Sequence, residues 1–133
     1  MTISIQKEND IPFAQHQVTD YAKTLGFNQL DCHKISIIVS ELAHNILKYV
    51  GKGYVMFSKR RMIHREGILI EAVDKGEGIT NLEIALQDSY STGGTLGLGL
   101  PGIKRISDIF EVDTAPGKGT HVKITYWIPK NTL

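Results

Sequence analysis

The sequence predicts an α+β fold, a two-layer sandwich with helices on one face of a mixed, largely antiparallel sheet. Three observations lead there. Runs with two-residue alternation open and close the chain, and runs with helical spacing lie between them. Two pairs of neighbouring strands are joined by short turns. The 133 residues suit one domain, residues 1–133, around one core.

Thr2 to Gln6 alternates apolar and polar residues, as a short strand does. Ile11 to Leu25 carries Val18, Tyr21, Ala22 and Leu25 at helical spacing, with Gly26 as its stop. Asp31 is the expected N-cap of a longer helix that runs to about Val50 and closes at Gly51 and Gly53. Tyr54 to Met62 and Gly67 to Val73 read as antiparallel strands joined by Ile63-His-Arg-Glu66. Thr80 and Glu83 form a capping box for a short helix holding Leu82, Ile84, Ala85 and Leu86. Pro101 suits a helix start, and Ile103, Ile106, Ile109 and Phe110 give that helix an apolar face. Glu111 to Thr114 and Thr120 to Ile128 are the last strands, around the turn Ala115-Pro-Gly-Lys-Gly119.

Composition narrows the function class. With 41% hydrophobic and 22% charged residues the chain is globular, and a net charge of +1 singles out neither nucleic acid nor membrane. Its one cysteine, Cys32, cannot form an internal disulfide, and the five histidines lack metal-ligand spacing. A reducing compartment fits, and MTISIQKEND has no signal-peptide run, so a cytoplasmic, soluble protein is expected. Lys59, Arg60, Arg61, His64 and Arg65 make a basic hairpin that reads as a solvated or partner-facing edge rather than a nucleic-acid site.

The stretch Ser91-Thr-Gly-Gly-Thr-Leu-Gly-Leu-Gly-Leu-Pro-Gly102 holds five glycines and no charge. Gly97 and Gly102 have P-loop spacing, but Ile103 stands where that motif needs lysine. Gly97, Gly99 and Gly102 match the dinucleotide fingerprint, yet no strand precedes them, and His121 and Val122 stand where its acid should be. Both motifs are excluded. Two readings stay open: a surface loop without a ligand, or a backbone that wraps phosphate oxygens beside the N-terminus of the Pro101 helix.

On the long helix, Ile35, Val39, Leu42, Ile46 and Val50 form the core stripe, while Glu41, Asn45 and Lys48 share an arc of roughly 60°. A solvated face has the same spacing. The set also offers a proton acceptor, an amide oxygen for a hard cation and an ammonium for phosphate, and Mg²⁺ in nucleotide sites takes only one or two protein oxygens.

These segments together resemble the GHKL ATPase superfamily, with its Bergerat nucleotide fold. Glu41-Leu-Ala-His-Asn45-Ile-Leu-Lys48-Tyr49 is similar to the N box, and Asp74-Lys-Gly76-Glu-Gly78 to the first glycine box. Thr92-Gly-Gly-Thr-Leu-Gly97-Leu-Gly99 resembles the second box and mobile lid, and Gly117-Lys-Gly119-Thr120 the third. Within the superfamily the chain looks most like the small serine/threonine kinases of bacterial partner switching, of the stressosome switch-kinase type. Sensor histidine kinases share the boxes but add a dimerising helical hairpin, for which 133 residues are expected to leave no room.

The resemblance implies ATP and Mg²⁺ as cofactors. It implies that Glu41 is the general base, that Asn45 ligates Mg²⁺, and that Lys48 meets phosphate. Asp74 would accept from the adenine amine, with Gly76 and Gly78 under the base and Thr120 supporting it directly or through water. Gly94, Gly97 and Gly99 would cover the phosphates. It further implies phosphorylation of a serine or threonine on a STAS-domain scaffold or antagonist, then release toward a phosphatase regulator, with neither nucleic acid nor membrane as partner. Arg105 and Asp108 are candidates for a partner-facing surface. Two alternatives remain at this point: an anti-sigma factor of the same fold that sequesters a sigma factor as well as phosphorylating, and a nucleotide-binding scaffold without activity.

Overall fold

The computed structural model describes residues 1–76 and 99–129. The helix expected from Thr80 and the glycine stretch up to Leu98 lie outside the described residues. The described elements are β1 (Thr2–Ile5), α1 (Asp10–Leu25), α2 (Gln29–Tyr49), β2 (Gly53–Met62), β3 (Arg65–Asp74), α3 (Gly99–Ile106), β4 (Ile109–Thr114) and β5 (Thr120–Trp127). The strands form one sheet in the order β1-β2-β3-β5-β4. Each of its described pairings is antiparallel, so the parallel element that a mixed sheet would require is not among them.

Two-residue alternation decides what each strand buries. Val55, Phe57, Ile68, Ile70, Val122 and Ile124 point to the helix layer and are buried with Val18, Ile35, Val39, Leu42 and Ile46 from α1 and α2. Burying a side chain of this size stabilises by about 1.5–3 kcal/mol. Cys32 lies in the same core, and burial raises its thiol pKa.

Two expected boundaries differ. Asp31 does not cap α2. Asn28 does, accepting from the Asp31 amide at 2.8 Å, so Asp31 sits inside the first turn. Ile109 and Phe110 belong to β4 and not to α3. Over the last turn the Ser107 hydroxyl donates to the Ile103 carbonyl at 2.6 Å, and Asp108 then bonds to β5 instead of continuing the helix. Asp108 donates its amide to the Thr125 carbonyl at 3.0 Å, and its carboxylate accepts from the Trp127 amide at 2.7 Å.

The displaced Asp31 has another task. It is buried, and it accepts from the Tyr126 hydroxyl at 2.6 Å, tying the start of α2 to the end of β5. Burial, then the neighbouring Asp31 carboxylate, pushes the Tyr126 phenol well above its ordinary range. A raised pKa means that the folded state holds the proton harder than the unfolded chain does. The linked stability is therefore complete below about pH 10 and declines as pH rises beyond that. Tyr126→Phe is expected to lose about 1–3 kcal/mol at neutral pH, since it strands a buried carboxylate. In denaturant titrations, the gap between wild type and variant should narrow above about pH 10. A gap that widens there would contradict the assignment.

Candidate functional site

At one end of the sheet, the strand register lines up Asp74, Thr120 and Thr114 across β3, β5 and β4, and Gly53 of β2 lies close to Asp74. Alternation puts them on the same face as Ile70, Ile124 and Val112, which is the helix side. Asp74 ends β3, and its Oδ1 accepts from the Gly76 amide at 2.9 Å, which turns the chain sharply after the strand.

The chain crowds around this row. A Cβ on Gly119 would lie 2.2 Å from the Asp74 carbonyl oxygen and 2.9 Å from Lys75 Cα, and Gly119 has φ +77°. Only glycine satisfies both conditions, so the third glycine box closes directly on the Asp74 backbone. Added Cβ atoms at Gly76 and Gly53 would meet Val50 Cγ2 at 2.5 Å and Ile46 Cγ2 at 2.9 Å. The C-terminal turns of α2, which carry Asn45, therefore rest against the Asp74 end of the sheet.

The polar stripe of α2 is graded rather than uniform. Glu41 is 9% exposed, Asn45 is half-buried and Lys48 is exposed. The Lys48 ammonium lies 5.1 Å from the centre of the Tyr49 ring, a cation–π contact at the surface. One Glu41 carboxylate oxygen accepts from the Gly99 amide at 3.3 Å, at the N-terminus of α3. That end carries partial positive charge, so an anion is favoured there.

The structure thus joins Glu41 to Gly99, and sets Asp74, with Gly76 and Thr120, against the C-terminal end of α2. Gly78, Gly94 and Gly97 lie outside the described residues. Asp108 anchors β5 through its hydrogen bond to Trp127, while Arg105 is exposed on α3. Sequence reading missed Thr114 and Gly53. Thr114 was within reach, because it faces Thr120 across the turn of residues 115–119.

Among the described residues, no three His, Cys, Asp or Glu side chains gather to hold a metal. The half-buried Asn45 amide, one turn from Glu41, instead suits a cation that takes most of its ligands from phosphates and water. Asn45 would hold it, and when bound it would neutralise phosphate charge.

Fold and site define an ATPase of one family: residues 31–132 match the histidine kinase-, DNA gyrase B- and HSP90-like ATPases, and the chain belongs to that family. Among individual proteins, it is 37% identical to the serine/threonine-protein kinase RsbT of Bacillus subtilis, covering 95% of each chain. It is 29% identical to the anti-sigma F factor of Caldanaerobacter subterraneus subsp. tengcongensis, covering 96% of this chain and 92% of that one. The NMR structure of the histidine kinase domain of the E. coli osmosensor EnvZ overlays with a TM-score of 0.48 at 18% identity, covering 77% of this chain and 68% of that one.

Proposed function

We propose that this chain is an ATP-dependent protein serine/threonine kinase, a single kinase domain over residues 1–133, that acts in bacterial partner-switching stress signalling. The observation that carries the reading is the buried Glu41, one helical turn from Asn45 and hydrogen-bonded to the start of α3. The 37% identity to a serine/threonine-protein kinase over nearly the whole chain supports it.

Asp74 and Thr120 would hold the adenine end, and the resemblance to the first glycine box assigns Gly76 and Gly78 to the base. Asn45 would hold Mg²⁺, which when bound would neutralise phosphate charge; Lys48 would meet phosphate, and the resemblance to the second glycine box assigns Gly94, Gly97 and Gly99 to covering the phosphates. Glu41 accepts the proton of an incoming serine or threonine hydroxyl. The hydroxyl oxygen then bonds to the γ-phosphorus as the bond to the ADP oxygen breaks. Positioning and charge neutralisation do most of this chemistry. The substrate is a STAS-domain scaffold or antagonist, and its phosphorylation frees the kinase for a phosphatase regulator in the cytoplasm. No helix among the described residues is long and apolar enough to cross a membrane.

The test is transfer of radiolabelled phosphate from ATP to a purified STAS-domain protein. Absence of transfer to any serine or threonine acceptor would remove the kinase reading. Asn45→Ala is expected to lower ATP affinity in Mg²⁺ by about tenfold to a hundredfold and to change it little in EDTA. Calorimetric titration under both conditions measures this, and equal losses in both would reject Asn45 as the ligand.

The 29% identity to an anti-sigma F factor favours one second reading, in which the chain also sequesters a sigma factor. Retention of a sigma subunit rather than a STAS protein on the immobilised chain would select it.

A further inference from the structure

We infer that the sheet face turned away from the helices, at its β2–β3 hairpin end, docks an acidic surface of a protein that the chain binds without phosphorylating it. The inference rests on the kinase reading above, and it concerns a surface apart from the nucleotide site.

Charge is unevenly placed in this chain. Residues 59–66 hold four of its 15 lysines and arginines and one of its 14 aspartates and glutamates. The rest of the chain therefore carries 11 such cations against 13 anions, although the whole is net +1. Strand alternation divides the hairpin charges between two faces. Arg61 lies opposite Glu66 on the helix side and pairs with it at 3.0 Å, and Lys59 approaches the same carboxylate at 3.7 Å. The one acid of the hairpin is used on that side. Arg60 and Arg65 point to the other face, and neither meets a carboxylate among the described residues.

Both of these arginines are held in place. Arg60 donates to the Thr125 hydroxyl at 3.0 Å, and the Arg65 guanidinium lies 5.9 Å from the centre of the Trp127 ring. That ring rests on Gly67, where an added Cβ would come within 3.0 Å of Trp127 Cε3. Side chains ordered before contact lose less entropy on binding. Beside them, Met62 is 52% exposed, and Ile63 at the hairpin tip is 86% exposed. The described helices pack on the opposite face, so none of them covers this one.

Exposed Met and ordered Arg together match the composition of protein interfaces, and the charge calls for carboxylates on the partner. Two other anionic ligands fit less well. A membrane surface is held by clusters of about four to eight cations, and Glu66 leaves only two here. A nucleic-acid strand stacks its bases on open aromatic faces, and Trp127 is only 8% exposed.

Position separates this partner from the substrate. Glu41 lies in the helix layer, and the row of Asp74 and Thr120 faces that layer, whereas Arg60, Met62 and Arg65 face away from it. Arg65 and Asp74 also stand at opposite ends of β3, about 30 Å apart along the strand. A protein seated here is behind the sheet from Glu41 and brings it no hydroxyl.

The test uses the full chain with two purified proteins, a STAS-domain substrate and a phosphatase regulator. Arg60→Glu combined with Arg65→Glu should weaken regulator binding in calorimetry by about tenfold to a hundredfold, and should leave ATP affinity and phosphate transfer to the STAS protein within about twofold. Ile63→Ser, outside the core, should weaken regulator binding by about fivefold with thermal unfolding unchanged. Added salt should weaken the wild-type complex more than that of the double variant. Unchanged regulator affinity in both variants overturns the inference, and so does a loss confined to STAS transfer, which makes the surface a substrate dock. Sedimentation with phosphatidylserine vesicles that only the double variant loses, with regulator binding intact, assigns the surface to a membrane and also overturns it. A wild-type chain that transfers phosphate but binds no regulator overturns it while leaving the kinase standing; one that does neither removes the kinase reading itself.

Discussion

Replacing Glu41 with glutamine is expected to lower phosphate transfer to a protein hydroxyl by about 10²–10⁴-fold, the usual contribution of a positioned base. Glutamine is the informative choice because Glu41 has two tasks. Its carboxylate accepts from the Gly99 amide at the start of α3, and it is the candidate proton acceptor. The glutamine carbonyl can still accept from Gly99, but it cannot take a proton from a serine. Glu41→Gln should therefore melt close to wild type, bind ADP with similar affinity and fail in transfer. Glu41→Ala should fail in transfer and also melt lower, since the start of α3 loses its partner. Initial rates with labelled ATP, alongside thermal unfolding, check this. A glutamine variant that transfers at the wild-type rate would remove Glu41 from the chemistry.

The second large effect is expected at Gly119. Gly117 and Gly119 flank Lys118 with nearly equal φ values of +79° and +77°, so alanine meets the same backbone penalty at each, about 1–2 kcal/mol. Their surroundings differ. A Cβ on Gly117 meets nothing within 4 Å, whereas one on Gly119 would press on the Asp74 carbonyl. Gly117→Ala should cost only the backbone term, and Gly119→Ala about 3–5 kcal/mol together with most of the nucleotide affinity, because Asp74 is pushed away. Chemical denaturation and ADP titration of the pair isolate the steric part. Equal losses in stability would mean that the approach to Asp74 is not tight.

Much of this architecture was readable beforehand, and the failures are local. The β5–β4 hairpin followed from its turn residues, and the α1 boundary from Gly26. Asp31 was misread because aspartate serves equally well at a cap or in the first turn, and Asn28 three positions earlier already supplied the cap. Ile109 and Phe110 were misread because apolar residues three apart continue a helical pattern past Ser107. Only contacts with β5, through Asp108, turn the chain into the sheet there.

Periodicity and glycine spacing are covalent facts, so the residues alone dictated the order of helices and strands and the sequence of nucleotide boxes that marks the family. Which residues become neighbours is decided by packing. Inserting β5 between β3 and β4 lays Thr120 beside Asp74 and Thr114 beside Thr120, although these residues are far apart or unremarked along the chain. The same holds for the stripe on α2. Helical geometry sets the directions of Glu41, Asn45 and Lys48, but only tertiary packing buries Glu41 against the start of α3 and leaves Lys48 exposed.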